Sequence, residues 1–157
     1  MHVASQNGQV GPEHEYDLLI RPACSPDEYE HNDRAGTSRT LSSSALPVSL
    51  TLCDVDWFRF EATAGELFTL ETSLPEGGDT TLMLLDMNQE FIDYNEDADG
   101  LASRIEFTAD TTGTYYLVVR AYDDSYGSEP YMLRIQKSGA EVCDGIDNDL
   151  NGLIDEN

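Results

Sequence analysis

From Pro47 onward the chain is a succession of short runs rich in Val, Thr, Tyr, Phe and Leu, each ended by a turn signal. The runs are Pro47–Leu52, Val55–Glu61, Leu67–Thr72, Thr80–Asp86, Glu90–Tyr94, Arg104–Thr108, Thr114–Ala121 and Tyr131–Gln136. Between them stand Thr63-Ala64-Gly65, Pro75-Glu76-Gly77-Gly78, Asp99-Gly100, Thr112-Gly113 and Tyr126-Gly127, the residue types that punctuate strands. Tyr115, Leu117 and Val119 alternate with Tyr116, Val118 and Arg120, and no window keeps the 3.6-residue period of a helix. Short strands at this spacing predict an all-β fold, a jelly-roll-like antiparallel β-sandwich. In the run Asp54 to Phe60 (DVDWFRF), period 2 puts Asp54 and Asp56 on one side and Trp57 opposite Phe58, with Phe60 repeating the face of Phe58.

Charge narrows the partners. Against 31 Asp+Glu the 157 residues carry 8 Lys+Arg, a net charge of −23. Such a field repels phosphate backbones and anionic lipid, so neither nucleic acid nor membrane insertion is expected. It attracts cations, and a divalent metal relieves the self-repulsion with few ions. No apolar run of membrane-spanning length and no secretory leader pattern is visible. Cys24 and Cys53 each precede an acidic cluster and are expected to pair, leaving Cys143 over and placing the protein in an oxidising compartment. Three free thiols in a reducing one is the alternative.

The chain divides into three parts. Residues 1–22 are a polar leader plus one extra strand, 23–137 the sandwich, and 138–157 an acidic loop module after a Ser-Gly linker. The extra strand, Glu15 to Ile20, copies the last one: Tyr16, Leu18 and Ile20 align with Tyr131, Leu133 and Ile135. It is either the end of a preceding repeat or a donor that pairs with another copy, building an extracellular filament by strand donation.

Three acidic clusters are candidate metal sites. In the first, Glu28, Glu30, Asn32 and Asp33 form E-x-E-x-N-D, which a Cys24–Cys53 bridge would bring to Asp54 and Asp56. Carboxylates and an amide, with no His or Cys at zinc spacing, point to calcium, which takes six to eight oxygens. Alternation sends His31 to the other face.

The E-x-E-x-N-D segment, the D-x-D-W-F-x-F strand and the later T-G-T-Y-Y-L-V-V strand together resemble the bacterial pre-peptidase C-terminal domain, over roughly Pro26 to Gln136. That family includes the collagen-binding domains of clostridial collagenases. The resemblance implies a small jelly-roll module appended to a secreted peptidase or surface protein. It also implies calcium where the N-terminal acidic linker meets the sheet, with Glu28, Glu30, Asn32, Asp33, Asp54 and Asp56 as ligands. His31 stands where the family usually has proline.

In the second cluster Asn95, Asp97, Asp99 and Gly100 match the start of an EF-hand-type loop, with Glu106 at its end. Ala102 replaces the usual hydrophobe and strands flank the loop, so an acidic hairpin is expected, with calcium as the alternative. The third cluster, Cys143 to Glu156, contains Asp147, Asp149, Asn151 and Asp155. It resembles the CDGxDNDCDGxxDE repeats of bacterial surface proteins, which implies calcium, although Leu150 replaces the second Cys and Asn151 an Asp.

Catalysis finds little support, since the three histidines, His2, His14 and His31, all lie near the N-terminus outside the strand framework. Tyr115, Tyr116, Tyr122, Tyr126 and Tyr131 gather in the last strands, where the exposed members would make a surface for a protein or polysaccharide polymer and the others fill core or rim. The expected protein is a non-enzymatic, calcium-binding, extracellular or cell-surface module that binds a polymer, binds copies of itself, or acts as a spacer.

Overall fold

A computed structural model of the chain describes residues 24–43, 47–75, 77–98, 100–123, 126 and 130–138. The extra strand at 15–20, Asp99, Cys143 and the acidic module at 138–157 beyond Ser138 lie outside the described residues. The described residues form nine strands: β1 (Arg39–Thr40), β2 (Val48–Thr51), β3 (Asp56–Ala62), β4 (Leu67–Ser73), β5 (Thr80–Leu85), β6 (Phe91–Asn95), β7 (Arg104–Thr108), β8 (Gly113–Ala121) and β9 (Pro130–Ser138). They form a five-stranded sheet, β1-β3-β8-β5-β6, and a four-stranded sheet, β2-β9-β4-β7. Successive strands mostly change sheet, which is the jelly-roll pattern.

All eight expected strands are present within one or two residues of their predicted ends. The addition is β1, two residues long, which pairs parallel with β3 through Arg39–Phe58 and Thr40–Arg59. So short a strand has no periodicity to read, and its pairing depends on where β3 lies. Every other pairing between named strands among the described residues is antiparallel.

The core follows from alternation. Phe58, Phe60 and Ala62 of β3, Leu117 and Val119 of β8, and Leu82 and Leu84 of β5 face Phe68 and Leu70 of β4, Leu133 and Ile135 of β9, and Ile105 of β7, all nearly fully buried. Phe60 touches the rings of Phe68, Phe107 and Tyr115 at centroid distances of 5.2–6.0 Å, packing worth more than its buried area alone. Of the tyrosines gathered in the last strands, Tyr115 and Tyr131 fill the core, 4% and 1% exposed. Both lie on the inward phase of their strands, beside Leu117 and Leu133.

The two outer faces differ. On the four-stranded sheet Arg134 pairs with Glu71, Arg104 with Glu106 and Lys137 with Glu66, as a solvated face should. On the five-stranded sheet the register lines up Trp57, Val118, Met83 and Tyr94 in one row and Arg59, Tyr116, Leu85 and Phe91 in the next. Val118 and Leu85 are buried there although they stand outside the main core cluster. Trp57 meets Tyr116 edge-on at 6.2 Å.

Candidate metal centre

Residues 24–34 form no strand; they carry a turn over Glu28 and Tyr29 and a bend at His31. Several fasteners hold this segment against the start of β3. A disulfide joins Cys24 to Cys53, with Cα atoms 5.6 Å apart. Asp27 folds back on itself, Oδ1 accepting from the Tyr29 amide at 2.8 Å, while Oδ2 accepts from the Thr51 amide at 2.8 Å. Arg39 donates to the carbonyls of Tyr29 and Glu30, at 2.7 and 2.8 Å. The Trp57 amide donates to the Asn32 carbonyl at 2.8 Å, which seats Asn32 directly on β3. The Glu30–His31 peptide bond is cis.

The fasteners produce a mouth of acid over the end of the sandwich. Ligand-bearing oxygens of Glu30, Asp54 and Asp56 lie within 4.8 Å of one another. Asp54 occupies the bend before β3, whereas Asp56 is its first residue and points into the core, 1% exposed. Below it the Tyr131 hydroxyl, also buried, donates to Asp56 Oδ2 at 2.7 Å. Asn32 is 0% exposed. Both side-chain atoms of Asn32, both carboxylate oxygens of Glu30 and Oδ1 of Asp54 are buried without a hydrogen-bond partner. A polar atom left unsatisfied in the interior costs about 1–3 kcal/mol, so five in one mouth set it apart from an ordinary solvated loop.

The electrostatics agree. Burial pushes the Asp56 carboxyl up to about 7, with the Tyr131 hydroxyl and the neighbouring Asn32 amide pulling the other way. The Asn32 amide lies close enough to favour the Asp56 anion yet outside hydrogen-bonding geometry. Burial raises Glu30, with Asp54, Asp27 and Asp33 adding to the shift, and it raises Asp54, with Asp33 adding. Burial and the adjacent Asp56 raise Tyr131 well above the ordinary phenol value. Carboxylates that resist ionisation beside one another are stabilised by a cation between them. The donor set is oxygen-rich and partly buried, so it fits a hard divalent ion such as calcium, which Glu30, Asn32, Asp54 and the free oxygen of Asp56 would hold.

Not every expected ligand converges. Glu28 is exposed and belongs to neither converging group among the described residues. Asp33 is exposed and joins Glu30 from outside, together with His31, whose ring nitrogen lies within 4.8 Å of both. His31 therefore does not turn to another face: the alternation rule needs an extended strand, and this segment is a turn. Sequence reading also missed Asp27, whose Asx-turn spacing to Tyr29 was the available signal, and Tyr131, whose partnership with Asp56 spans 75 positions and left no local trace.

In the second cluster Asn95 Oδ1 accepts from the Arg104 amide at 2.9 Å, and Glu106 pairs with Arg104. Asp97 is exposed, and no group of three Asp, Glu, His or Cys ligand atoms forms there among the described residues. The loop joins β6 to β7 as an acidic connection. Asp147, Asp149, Asn151 and Asp155 lie outside the described residues.

Comparison with known proteins matches this architecture. The family model of the bacterial pre-peptidase C-terminal domain matches residues 54–121. A probable subtilase-type serine protease of Deinococcus radiodurans is 31% identical over 101 residues, 59% of this chain and 14% of the protease. The chain thus spans a small part of that relative's length. The solved pre-peptidase C-terminal domain of collagenase from Bacillus anthracis superposes with a TM-score of 0.52 at 23% identity, covering 63% of this chain and 94% of that one. PliG of Aeromonas hydrophila, a periplasmic inhibitor of g-type lysozyme, superposes at 0.48 and 19% identity over 64% of this chain and 96% of its own. Residues 54–121 of the sandwich thus match the family model of the bacterial pre-peptidase C-terminal domain, and the solved collagenase domain shares the fold.

Proposed function

We propose that the protein is a non-enzymatic, extracellular β-sandwich module, braced by calcium between its N-terminal linker and β3, that docks an extended polypeptide on the outer face of its five-stranded sheet. The observation that carries the reading is the set of buried, unpartnered oxygens of Glu30, Asn32 and Asp54 beside Asp56. An ion held there by the folded state alone adds RT ln(1 + [L]/Kd) to stability, about 2.7 kcal/mol at a hundredfold excess over Kd. Melting with calcium and then with chelator tests it. The midpoint should rise with calcium in the wild type and stay level in Asp56→Asn, which keeps an acceptor for Tyr131 but removes the anion. An unchanged wild-type midpoint would sink the calcium reading.

The docking reading is supported by the apolar and aromatic side chains in the two rows on the five-stranded sheet, Trp57, Val118, Met83 and Tyr94 in one and Tyr116, Leu85 and Phe91 beside Arg59 in the other, where a solvated antiparallel face would be polar. An extracellular setting is supported by the Cys24–Cys53 disulfide and by the kinship with a protease and a collagenase domain. No helix among the described residues is long and apolar enough to cross a membrane. Trp57→Ala and Tyr116→Ala should abolish retention on insoluble protein polymers with little change in melting. Retention on polysaccharide instead, or retention that the variants leave intact, would remove the polypeptide assignment.

A further inference from the structure

Four strands stand at sheet edges among the described residues: β1 and β6 in one sheet, β2 and β7 in the other. Edges are guarded against pairing with another chain by shortness, bulges, charge or capped backbone groups. Three of the four follow that rule. β1 is two residues long. β6 loses register between its partners Leu84 and Leu85, and Asp93 Oδ1 accepts from the Tyr94 amide at 2.8 Å. β7 carries Arg104 and Glu106, and Asn95 Oδ1 holds its Arg104 amide. β2, Val48–Thr51, has no charge, no bulge and no proline. Its Thr51 amide donates to Asp27 Oδ2, and Thr51 stands opposite Pro130, which has no amide to exchange. Thr51 therefore turns its backbone groups away from β9, and alternation turns those of Ser49 the same way. Ser49 is exposed, so this edge offers an N–H and a C=O to an antiparallel partner. Beside them an apolar cleft of about 400 Å³ opens between Leu41, Val48, Leu133 and Ile135.

The chain contains a segment that suits this edge. β9 pairs with β2 through Leu133–Val48 and Tyr131–Leu50. Residues 15–20 repeat that spacing, with Tyr16, Leu18 and Ile20 where β9 has Tyr131, Leu133 and Ile135, and with Glu15 and Asp17 alternating. Set antiparallel on the outer side of β2, Leu18 would meet Val48 and Tyr16 would meet Leu50 beside the cleft, leaving Asp17 next to Ser49 in water. The same molecule is badly placed to supply it. That register sets Ile20 about 16 Å from Thr51, where Ser25 and Asp27 are already fastened. Residues 21–23 would have to return fully extended along the edge that the strand itself fills. A second copy meets no such constraint. We propose that Glu15–Ile20 of one copy pairs antiparallel with β2 of the next, a self-association surface that joins copies of this chain head to tail. Because donor and acceptor are different surfaces, the contact does not close on itself and builds an open chain.

Sedimentation of the full chain over a range of concentrations tests it, in physiological salt with calcium to screen the net charge of −23. The wild type should form a concentration-dependent ladder of oligomers. Leu18→Asp, which spoils the donor, and Ser49→Pro, which removes the acceptor N–H, should each stay monomeric and melt as the wild-type monomer does. Mixed one to one, the two variants should give a dimer and nothing larger, because each supplies the half that the other lacks. A synthetic peptide of residues 13–22 should shorten the wild-type ladder, and it takes the place of Ser49→Pro if that variant fails to fold. A wild type that stays monomeric at every concentration overturns the proposal, whether its own segment fills its own edge or none. So does a ladder that Leu18→Asp and the peptide leave intact, or a mixture of two folded variants that yields no dimer.

Discussion

Two acidic segments of this chain look alike on paper and behave differently in three dimensions. Glu28 to Asp33 and Asn95 to Asp99 both alternate acid and amide beside a strand. The first is strapped to the sandwich by a disulfide, by Asp27 and by the Asn32 carbonyl, so Glu30 and Asn32 are driven inward against Asp56. The second bridges two neighbouring strands, and its amide is spent on the Arg104 backbone. Composition is nearly the same; what differs is whether covalent and backbone ties force the acids out of water. Acid in water repels weakly, whereas acid at the edge of a core needs a counter-ion.

The contrast can be broken by pH. Asp56 has a folded value of about 7, above its ordinary carboxylate value, so its stabilising effect is full below the ordinary value and is lost as pH rises through about 7. Glu30 and Asp54 are raised in the same direction. In chelator the protein should therefore be more stable at pH 5 than at pH 8, by at most roughly 3 kcal/mol for Asp56, since only the part of the shift between pH 5 and about 7 is lost in that window. Calcium should reverse the trend, because the ion binds the anions. Chemical denaturation across that range reads it, and a flat profile in chelator would mean the mouth is wetter than its burial implies.

The straps come next. Cys24→Ser with Cys53→Ser releases a loop of 29 residues. It should cost about 3.5 kcal/mol through loop entropy and weaken calcium binding as well. If stability falls but calcium affinity holds, the mouth is shaped by Asp27 and Asn32 without the bridge. The smallest effect belongs to the other segment. Asn95→Ala should cost about 1 kcal/mol through the lost bond to the Arg104 amide, and the calcium-dependent shift should not move. A reduced shift would return the β6–β7 loop to the list of metal sites.

Much of this was readable in the chain. The strands were legible because Val, Tyr, Phe and Leu alternate within them and Gly or Pro ends them. The pairing of Cys24 with Cys53 and the meeting of Glu30 with Asp54 and Asp56 followed from where the acids sit relative to the cysteines. His31 was misplaced because strand alternation was applied to a turn. Which of the five late tyrosines face the core stayed open in the sequence, and nothing near Tyr131 names Asp56 as its partner. The parallel pairing of Arg39–Thr40 was invisible, being too short to show any pattern.

By itself, then, the sequence determined the layers, the faces of each strand and the types of donor, since all of these depend on neighbours one or two residues apart. The tertiary structure alone decided which acids became buried and which tyrosine closed the floor of the mouth. Those outcomes depend on contacts between segments 24 to 75 positions apart, Asp27 with Thr51 and Tyr131 with Asp56. Desolvation is a property of the assembled surface, and it is desolvation that turns an ordinary run of acid into a candidate metal centre.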